Sequence, residues 1–419
     1  MTILITIVIT ALCIVILMNF VTGEKKIQRK LASIYDVSDP QFSRSVSALL
    51  GPAFTSGNDV QVMKNGNEIF PHMLDAIKNA NKTITFETFI YWSGSIGEEF
   101  SNALSERARA GVNVHVLLDW LGSVKMDDDL LDHMRESGVQ IERYHKPHWS
   151  HLARFNNRTH RKLLIIDGFT GFTGGVGIAD QWRGDARNSN EWRDSHFKVT
   201  GPVVSQMQAV FMDNWIKSKG QVLHSEDYFP PLESAGELHT QMFSSSSSGG
   251  SDSMQLMYLM AIAAASKTIE LSSAYFVPDE LSIEALMNAA KRGVRIRIIT
   301  PGKFIDTEMV RKASKASWGK LLQAQIEIAE YLPTMYHCKI FIVDSLLVSV
   351  GSTNFDNRSF RLNDEANLNV LNKAFAEEQV RVFNEDWSKS HPYTYEQWLK
   401  RPMTDKFLER LASLFRSQM

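Results

Sequence analysis

An imidazole and an ammonium held side by side on one face of a strand are suited to attack on an anionic phosphodiester, and this chain carries that pair twice. The first copy reads His160-Arg161-Lys162, then four apolar residues, Asp167, and on to Gly174-Gly175. The second reads His337-Cys338-Lys339, four apolar residues, Asp344, and on to Gly351-Ser352-Thr353-Asn354. Both follow H-x-K-x4-D-x6-G-[GS]. A nucleophile approaching a phosphodiester needs cations nearby to offset the charge on the equatorial oxygens. Lysine two residues after histidine on a strand points to the same face as that histidine. One imidazole can then attack phosphorus while the other protonates the leaving alkoxide, because histidine changes charge near neutral pH. A single histidine on an apolar strand is more often a core residue than a catalyst. A lysine on the same face would be a costly unpaired charge in a core, and the pair occurs twice, so the catalytic reading is the better one.

Each reactive imidazole needs a carboxylate on its other ring nitrogen to fix tautomer and orientation. Two candidates lie at similar distances downstream, each ahead of a strand-like run. Asp194 follows His160 in Glu191-Trp192-Arg193-Asp194, and Glu365 follows His337 in Asn363-Asp364-Glu365. Glu191 and Asp364 are the fallback candidates. Asp167 and Asp344 complete the repeated motif but stand well down the strand from their histidines. They are expected to be structural, each pairing with a cation behind the site. Gly174 and Gly351 let the backbone come close to a phosphate, and Gly175 and Ser352 beside them are candidate phosphate contacts.

The duplicated pattern resembles the phospholipase D superfamily, and the resemblance covers most of the chain. It implies phosphoryl transfer through a covalent phosphohistidine, with no cofactor and no metal. It also implies that Asn354 binds phosphate. Gly177 stands where the first copy should carry the matching asparagine, so one amide donor is missing there, and Gly177→Asn is expected to be tolerated. The stretches Phe86-Glu87-Thr88-Phe89-Ile90-Tyr91, Phe172-Thr173-Gly174-Gly175, Tyr275-Phe276-Val277-Pro278 and Arg358-Ser359-Phe360-Arg361-Leu362-Asn363 resemble bacterial cardiolipin synthases of the short, single-anchor type. That resemblance implies transfer of a phosphatidyl group from one phospholipid to phosphatidylglycerol, with phosphatidylglycerol or phosphatidylethanolamine as donor. By analogy with single-chain relatives, His160 is assigned as nucleophile and His337 as acid and base, with Lys162, Lys339 and Asn354 around the phosphate. The same residues could use water as acceptor, so a hydrolytic phospholipase D or a membrane-tethered phosphodiesterase or nuclease is the alternative. A catalytically silent scaffold fits poorly with two intact His-Lys pairs.

The elements that must position these residues are themselves duplicated. Ala76-Ile77-x-x-Ala80-x-Lys82-Thr83-Ile84 matches Ala261-Ile262-x-x-Ala265-x-Lys267-Thr268-Ile269. In each half a helix ends at Gly111 or Gly293, and an aliphatic strand follows. This alternation predicts α/β sandwich halves with a largely parallel sheet, related by a pseudo-two-fold axis that brings both motifs into one central cleft. The implied division is 1–30 as anchor and basic flank, 31–240 as the first half and 241–419 as the second. The serines from Ser244 to Ser248 with Gly249-Gly250 read as a flexible joint.

The length of 419 residues allows two domains of ordinary size. A formal net charge of -2 argues against a nucleic-acid partner, which usually meets a clear basic excess. The two cysteines, Cys13 and Cys338, stand in an apolar run and in the motif, so no structural disulfide is expected. Ile3 to Val21 is uncharged and, at about 19 residues, long enough to span a bilayer. Lys25, Lys26, Arg29 and Lys30 follow it and none precedes it, which favours an uncleaved single-pass anchor in the bacterial cytoplasmic membrane with the catalytic body on the cytoplasmic side. His145, His148 and His151 lack a fourth ligand of matched spacing, so they read as a cleft-rim loop at a lipid headgroup, with Trp149 at the interface, and not as a zinc site.

Overall fold

The computed structural model describes residues 35–144, 146, 156–246 and 253–419, and nearer the start residues 1, 3–7, 9–10, 13–14, 27 and 29–32. The histidines His145, His148 and His151, with Trp149, lie outside the described residues. So does most of the apolar run from Ile3 to Val21. Among the described residues no helix is long and apolar enough to cross a membrane.

The first set of strands is β1 (Thr55–Lys64), β2 (Thr83–Thr88), β3 (Asn113–Asp119), β4 (Gln140–Tyr144), β5 (Arg158–Thr159), β6 (Leu163–Ile166), β7 (Thr170–Gly174) and β8 (Ser195–Thr200). The second is β9 (Leu238–Ser245), β10 (Thr268–Ser273), β11 (Phe276–Val277), β12 (Arg295–Pro301), β13 (Glu327–Tyr331), β14 (Lys339–Val343), β15 (Leu347–Gly351), β16 (Phe355–Asp356), β17 (Asn363–Leu371) and β18 (Ser390–Tyr393). All but β11 and β16, which pair with each other alone, join in one mixed sheet, ordered β18-β13-β12-β10-β14-β15-β17-β9-β1-β8-β7-β6-β2-β3-β4, with β5 added beside β17. Reading outward from the β9-β1 contact, the two directions meet equivalent strands in the same sequence. The duplication seen in the chain is thus a duplication of topology.

The sheet is less parallel than expected. β2, β3 and β4 are parallel, as are β10, β12 and β13, but the motif strands β6 and β14 pair antiparallel on both sides. The cause is local. Ile166 pairs with Thr170 and Val343 with Leu347, so each motif strand turns straight back through a tight hairpin, which only antiparallel neighbours can share. Both motif strands are nevertheless fully buried, because the sheet is covered on both faces. Leu163 and Ile165 enter a core cluster shared by the two halves, and Leu164 and Ile166 enter one private to the first. Ile340 and Ile342 join that shared cluster, and Phe341 and Val343 a separate one.

The serine run is not a simple joint. Ser244 and Ser245 belong to β9, opposite Ala366 and Glu365 of β17, and β9 itself runs through the division at residue 240. Residues 247–252 lie outside the described part.

The motif aspartates staple the hairpins to the sheet. Asp167 and Asp344 have φ of 51° and 52°, a left-handed conformation that aspartate tolerates better than most residues. The Asp167 carboxylate accepts the backbone N–H groups of Asn81, Lys82 and Thr83 at 2.7–2.9 Å. Asp344 accepts those of Ser266, Lys267 and Thr268 at 2.7–2.8 Å. The sequence predicts a cation as partner; the partners are instead the unpaired amides where β2 and β10 begin. These aspartates are structural, at the far end of the motif strand from the histidine.

Candidate active site

His160 and Lys162 precede β6, His337 precedes β14 and Lys339 opens it; all four side chains are buried. His160 Nδ1 lies 3.0 Å from both carboxylate oxygens of Glu365. His337 Nδ1 lies 2.7 Å from Asp194 Oδ2. The pairing is crossed, since the acid downstream of each histidine in the chain serves the histidine of the other half. The main chain repeats the crossing. His160 N–H donates to the carbonyl of Asp364, and His337 N–H to that of Arg193, both at 2.8 Å. Each of those carbonyls belongs to the residue just before the acid. A carboxylate only accepts, so Nδ1 carries the hydrogen and Nε2 presents the lone pair in both rings.

Lys162 and Lys339 each donate to the carbonyl of their own motif histidine at 2.7 Å. Lys339 Nζ also lies 3.1 Å from both ring nitrogens of His337. With Nδ1–H committed to Asp194, only Nε2 can accept from it. Among the described residues His160 Nε2 has no such contact.

Burial sets the electrostatics. It pushes His160 down to about 4 against the pull of Glu365, with Lys162 and Lys339 adding to the fall. His337 is pushed down to about 3 by burial and then by Lys339. Both rings are therefore neutral at pH 7. Burial brings Lys162 down to about 7, and it also lowers Lys339, in each case partly offset by carboxylates of both halves. Burial works against charge on Glu365 and Asp194, yet the histidines and lysines facing them hold both below the usual carboxylate range. Each histidine senses the lysine of the other motif, so the two motifs form one electrostatic unit.

The orienting acids are themselves held, by different means. Ser352 Oγ donates to Glu365 Oε2 at 2.5 Å and accepts from Ala366 N–H at 3.0 Å. Asn363 adds an amide donor at 3.1 Å. Ser352 is thus engaged with the acid, where the sequence suggested phosphate. In the first half the equivalent residue is Gly175, and a Cβ there would fall 2.2 Å from Asp194 Oδ1. Its N–H is taken by the carbonyl of Ser195 at 3.2 Å, so Gly175 makes room for the acid and is not an open phosphate donor. Asp194 receives its second side-chain donor from Trp182 Nε1 at 2.9 Å and a backbone donor from Ser195 at 2.8 Å. Gly177 is explained by the same tryptophan. A Cβ at 177 would lie 2.9 Å from Ile90 Cβ and 3.2 Å from the Trp182 ring, so asparagine does not fit there without moving the indole. In the second half Asn354 is buried, with its amide oxygen unpartnered among the described residues.

The fallback acids do other work. Glu191 accepts from the N–H groups of Asp185 and Arg187 and from Asn188, closing a surface loop. Asp364 gives its carbonyl to His160. The residues before each histidine are anchored too. Thr159 N–H donates to Asp119 at 3.0 Å and its hydroxyl to Glu87, whereas the Tyr336 hydroxyl donates to Asp386 and lies 2.8 Å from the Ser272 hydroxyl. Burial raises the Glu87 carboxyl to about 7, despite nearby Arg161. The sequence left the aromatic residues as core, and three of them wall the site. Trp182 and Trp192 stand 5.2 and 5.5 Å from the His337 ring, and Phe89 stands 5.2 Å from His160. Trp182 and Trp192 follow the first motif in the chain yet face the histidine of the second, and Phe89 stands far ahead of His160, so their spacing carried no signal for these contacts.

A family model described as "Cardiolipin synthase, PLD-like domain" matches residues 73–215 and 258–387. A cardiolipin synthase of Geobacillus sp. (strain WCH70) is 32% identical over 359 residues, covering 85% of this chain and 71% of the relative. Cardiolipin synthase A of Pseudomonas fluorescens (strain SBW25) is 32% identical over 345 residues, covering 82% and 71%. The crystal structure of a phosphatidylserine synthase from Haemophilus influenzae superimposes with a TM-score of 0.68 at 14% identity, over 90% of this chain and 99% of that one. At that identity the likeness speaks for the fold.

Proposed function

The chain belongs to the cardiolipin synthase family of PLD-like proteins, and from that premise we propose that it makes cardiolipin by moving a phosphatidyl group onto phosphatidylglycerol. The observation that carries this reading is the crossed pair of histidine–carboxylate contacts, which holds two neutral imidazoles and two lysines in one unit. His160 Nε2, free of any cation contact among the described residues, attacks phosphorus. The N–P bond forms as the P–O bond to the donor headgroup breaks, and the leaving alkoxide takes a proton from His337. His337 is neutral at rest, but an anionic phosphodiester between Lys162 and Lys339 offsets the lysine charge that helps depress it, and so favours its protonation. In the second step the hydroxyl of phosphatidylglycerol gives its proton to His337 and attacks phosphorus, releasing His160. One ester bond is exchanged for another, so no nucleotide is consumed. Asn354 adds an amide beside the phosphate. The apolar N-terminal run tethers the chain to the cytoplasmic membrane, with the catalytic body on the cytoplasmic side.

The test uses purified protein in mixed micelles with labelled phosphatidylglycerol, with and without phosphatidylethanolamine. Cardiolipin is the expected product, because an acceptor held in a dry cleft has a large effective concentration over water. Phosphatidic acid as the main product at high acceptor concentration would overturn the synthase reading in favour of a hydrolase. Dependence on phosphatidylethanolamine would change only the donor. A C-terminal reporter active only in the cytoplasm should be active, and its silence, with activity of a second C-terminal reporter that works only outside the membrane, would reverse the orientation.

A further inference from the structure

We propose that the helix Met403–Ser413 and the turn after it form an interfacial element that lies on an anionic phospholipid surface beside the mouth of the cleft. The helix is held from behind. Ala412 packs into a small cluster with Val310 and Ala313 of the helix Glu308–Gln323, and buried Glu409 takes Arg401 Nε at 2.7 Å. The other face is apolar and open. Met403, Phe407 and Leu411 follow one another at helical spacing with exposures of 76%, 63% and 43%, and Leu414 and Phe415 extend the strip at 72% and 45%. A soluble surface rarely carries so continuous an apolar strip without a partner.

The charges beside it say which partner. Lys406, Arg410 and Arg416 flank the strip, with Lys400 beyond them paired to Glu396, whereas of the two acids between Met403 and Met419 Glu409 is paired with Arg401 and Asp405 alone stands without an arginine. An apolar face edged by lysine and arginine suits the headgroup boundary of a bilayer, with the cations toward anionic lipid. A second copy of the chain fits poorly. A symmetric contact would press this basic edge against itself.

The position gives the element a use. The chain beyond the helix is tied to residues that follow Asn354. Asn357 Nδ2 donates to the carbonyl of Arg416 at 3.3 Å, and the Arg358 backbone N–H donates to the Met419 oxygen at 2.9 Å. Arg358 also reaches the Gln418 carbonyl at 3.1 Å. A bilayer lying on the apolar strip would therefore meet the protein next to the phosphate end of the second motif.

The test uses the full chain with Cys13→Ser, since Cys338 is buried, reconstituted in phosphatidylglycerol–phosphatidylcholine vesicles. A polarity-sensitive fluorophore is placed in turn on Phe407→Cys, Leu414→Cys and, on the opposite side of the helix, Asp405→Cys. Emission at 407 and 414 should shift to the blue and be quenched by spin-labelled lipid, with less quenching in pure phosphatidylcholine; the label at 405 should do neither. Absence of quenching at 407 and 414, or equal quenching at all three positions, would overturn the proposal. So would a blue shift that grows with protein concentration and ignores the lipid quencher, because a second copy would then cover the strip. This readout stands whether or not the chain makes cardiolipin. As a second measurement, Phe407→Asp with Leu411→Asp should cost about tenfold or more in turnover on vesicles, while turnover of a short-chain, monomeric phosphodiester is unchanged. Equal losses on both substrates would assign the helix a purely structural role.

Discussion

The two half-sites share a skeleton and differ in what braces it. Around His160 the orienting Glu365 is held by a hydroxyl and an amide, the ring meets one phenyl group, and Nε2 is clear of cations among the described residues. Around His337 the orienting Asp194 is held by an indole and a backbone amide, two indoles face the ring, and Lys339 lies against it. Duplication supplied two equal imidazole–ammonium pairs, and the divergence lies in the layer behind them. A lone pair free of cations suits a nucleophile, and a ring already touched by an ammonium suits proton transfer. A symmetric motif can thus divide labour without changing any of its reacting residues.

Removing each ring separates the two roles most strongly. His160→Ala and His337→Ala should each lower turnover on phospholipid by on the order of 10⁴-fold or more. They should part on a phosphodiester with a nitrophenol leaving group, which needs no acid. There His337→Ala should still form a trapped phosphoenzyme, and His160→Ala should form none. A phosphohistidine mapped to residue 337 would reverse the assignment.

The crossing can be tested through the acids. Glu365→Gln and Asp194→Asn should each cost about 10²- to 10⁴-fold, because an amide can hold the wrong tautomer. If the acids serve the histidines they touch, Glu365→Gln slows phosphoenzyme formation with every leaving group. Asp194→Asn should lose most with poor leaving groups and least with nitrophenol. The opposite pattern, measured by rapid quench, would mean that each acid serves the histidine of its own half.

Acidity is the next lever. In kcat/KM, which reports the free enzyme, His160 remains an unprotonated nucleophile until pH falls through about 4. Lys162, held near 7, loses its charge as pH rises past that value. On the nitrophenol substrate, which needs no acid from His337, the profile should therefore fall on its alkaline side from about 7, roughly tenfold per pH unit if the ammonium is required, and on its acid side only near 4. Lys162→Arg, whose guanidinium stays charged, should remove the alkaline fall. Stability follows the histidines in the other sense. An unfolded chain binds their protons near 6.5 and the folded one only near 4 or 3, so folding loses stability as pH drops below 6.5.

Much of this was legible before any coordinates, because phosphodiester chemistry needs charged residues at fixed spacing and a strand keeps that spacing on one face. His160, Lys162, His337, Lys339, Asp194 and Glu365 could all be picked out of the chain. What could not be read was pairing across the duplication, since sequence order puts Asp194 beside His160 and the fold puts it on His337. The aspartates of the motif were readable as structural, but not that their partners are backbone amides, which leave no mark in a sequence. The strand directions were missed because an aliphatic run is the same whether its neighbour is reached by a crossover or by a tight turn. Trp182 looked like core, and by burial it is; its one polar atom makes it part of the site.

The smallest expected effects come from that tryptophan and its glycine. Trp182→Phe removes the indole N–H, leaving Asp194 with His337 and Ser195 as donors, and with it the Cη2 and Cζ3 ring atoms that lie over Gly177. A buried carboxylate that loses one donor is worse off by about 1–3 kcal/mol, so turnover should drop about ten- to a hundredfold with the alkaline limb unmoved. Ser352→Ala does the same to Glu365 and should cost a similar amount, but at phosphoenzyme formation. Gly177→Asn puts a Cβ against Ile90 and the indole together. It should cost about 1–3 kcal/mol in stability through overpacking and, by turning Trp182 away, reproduce the Trp182→Phe loss. Combining Gly177→Asn with Trp182→Phe should then cost little more turnover than either alone. Full additivity in turnover would show that Gly177 acts on the site by a route other than the tryptophan. Normal turnover and melting temperature in the Gly177→Asn variant would mean that the space the asparagine needs can open without disturbing Asp194.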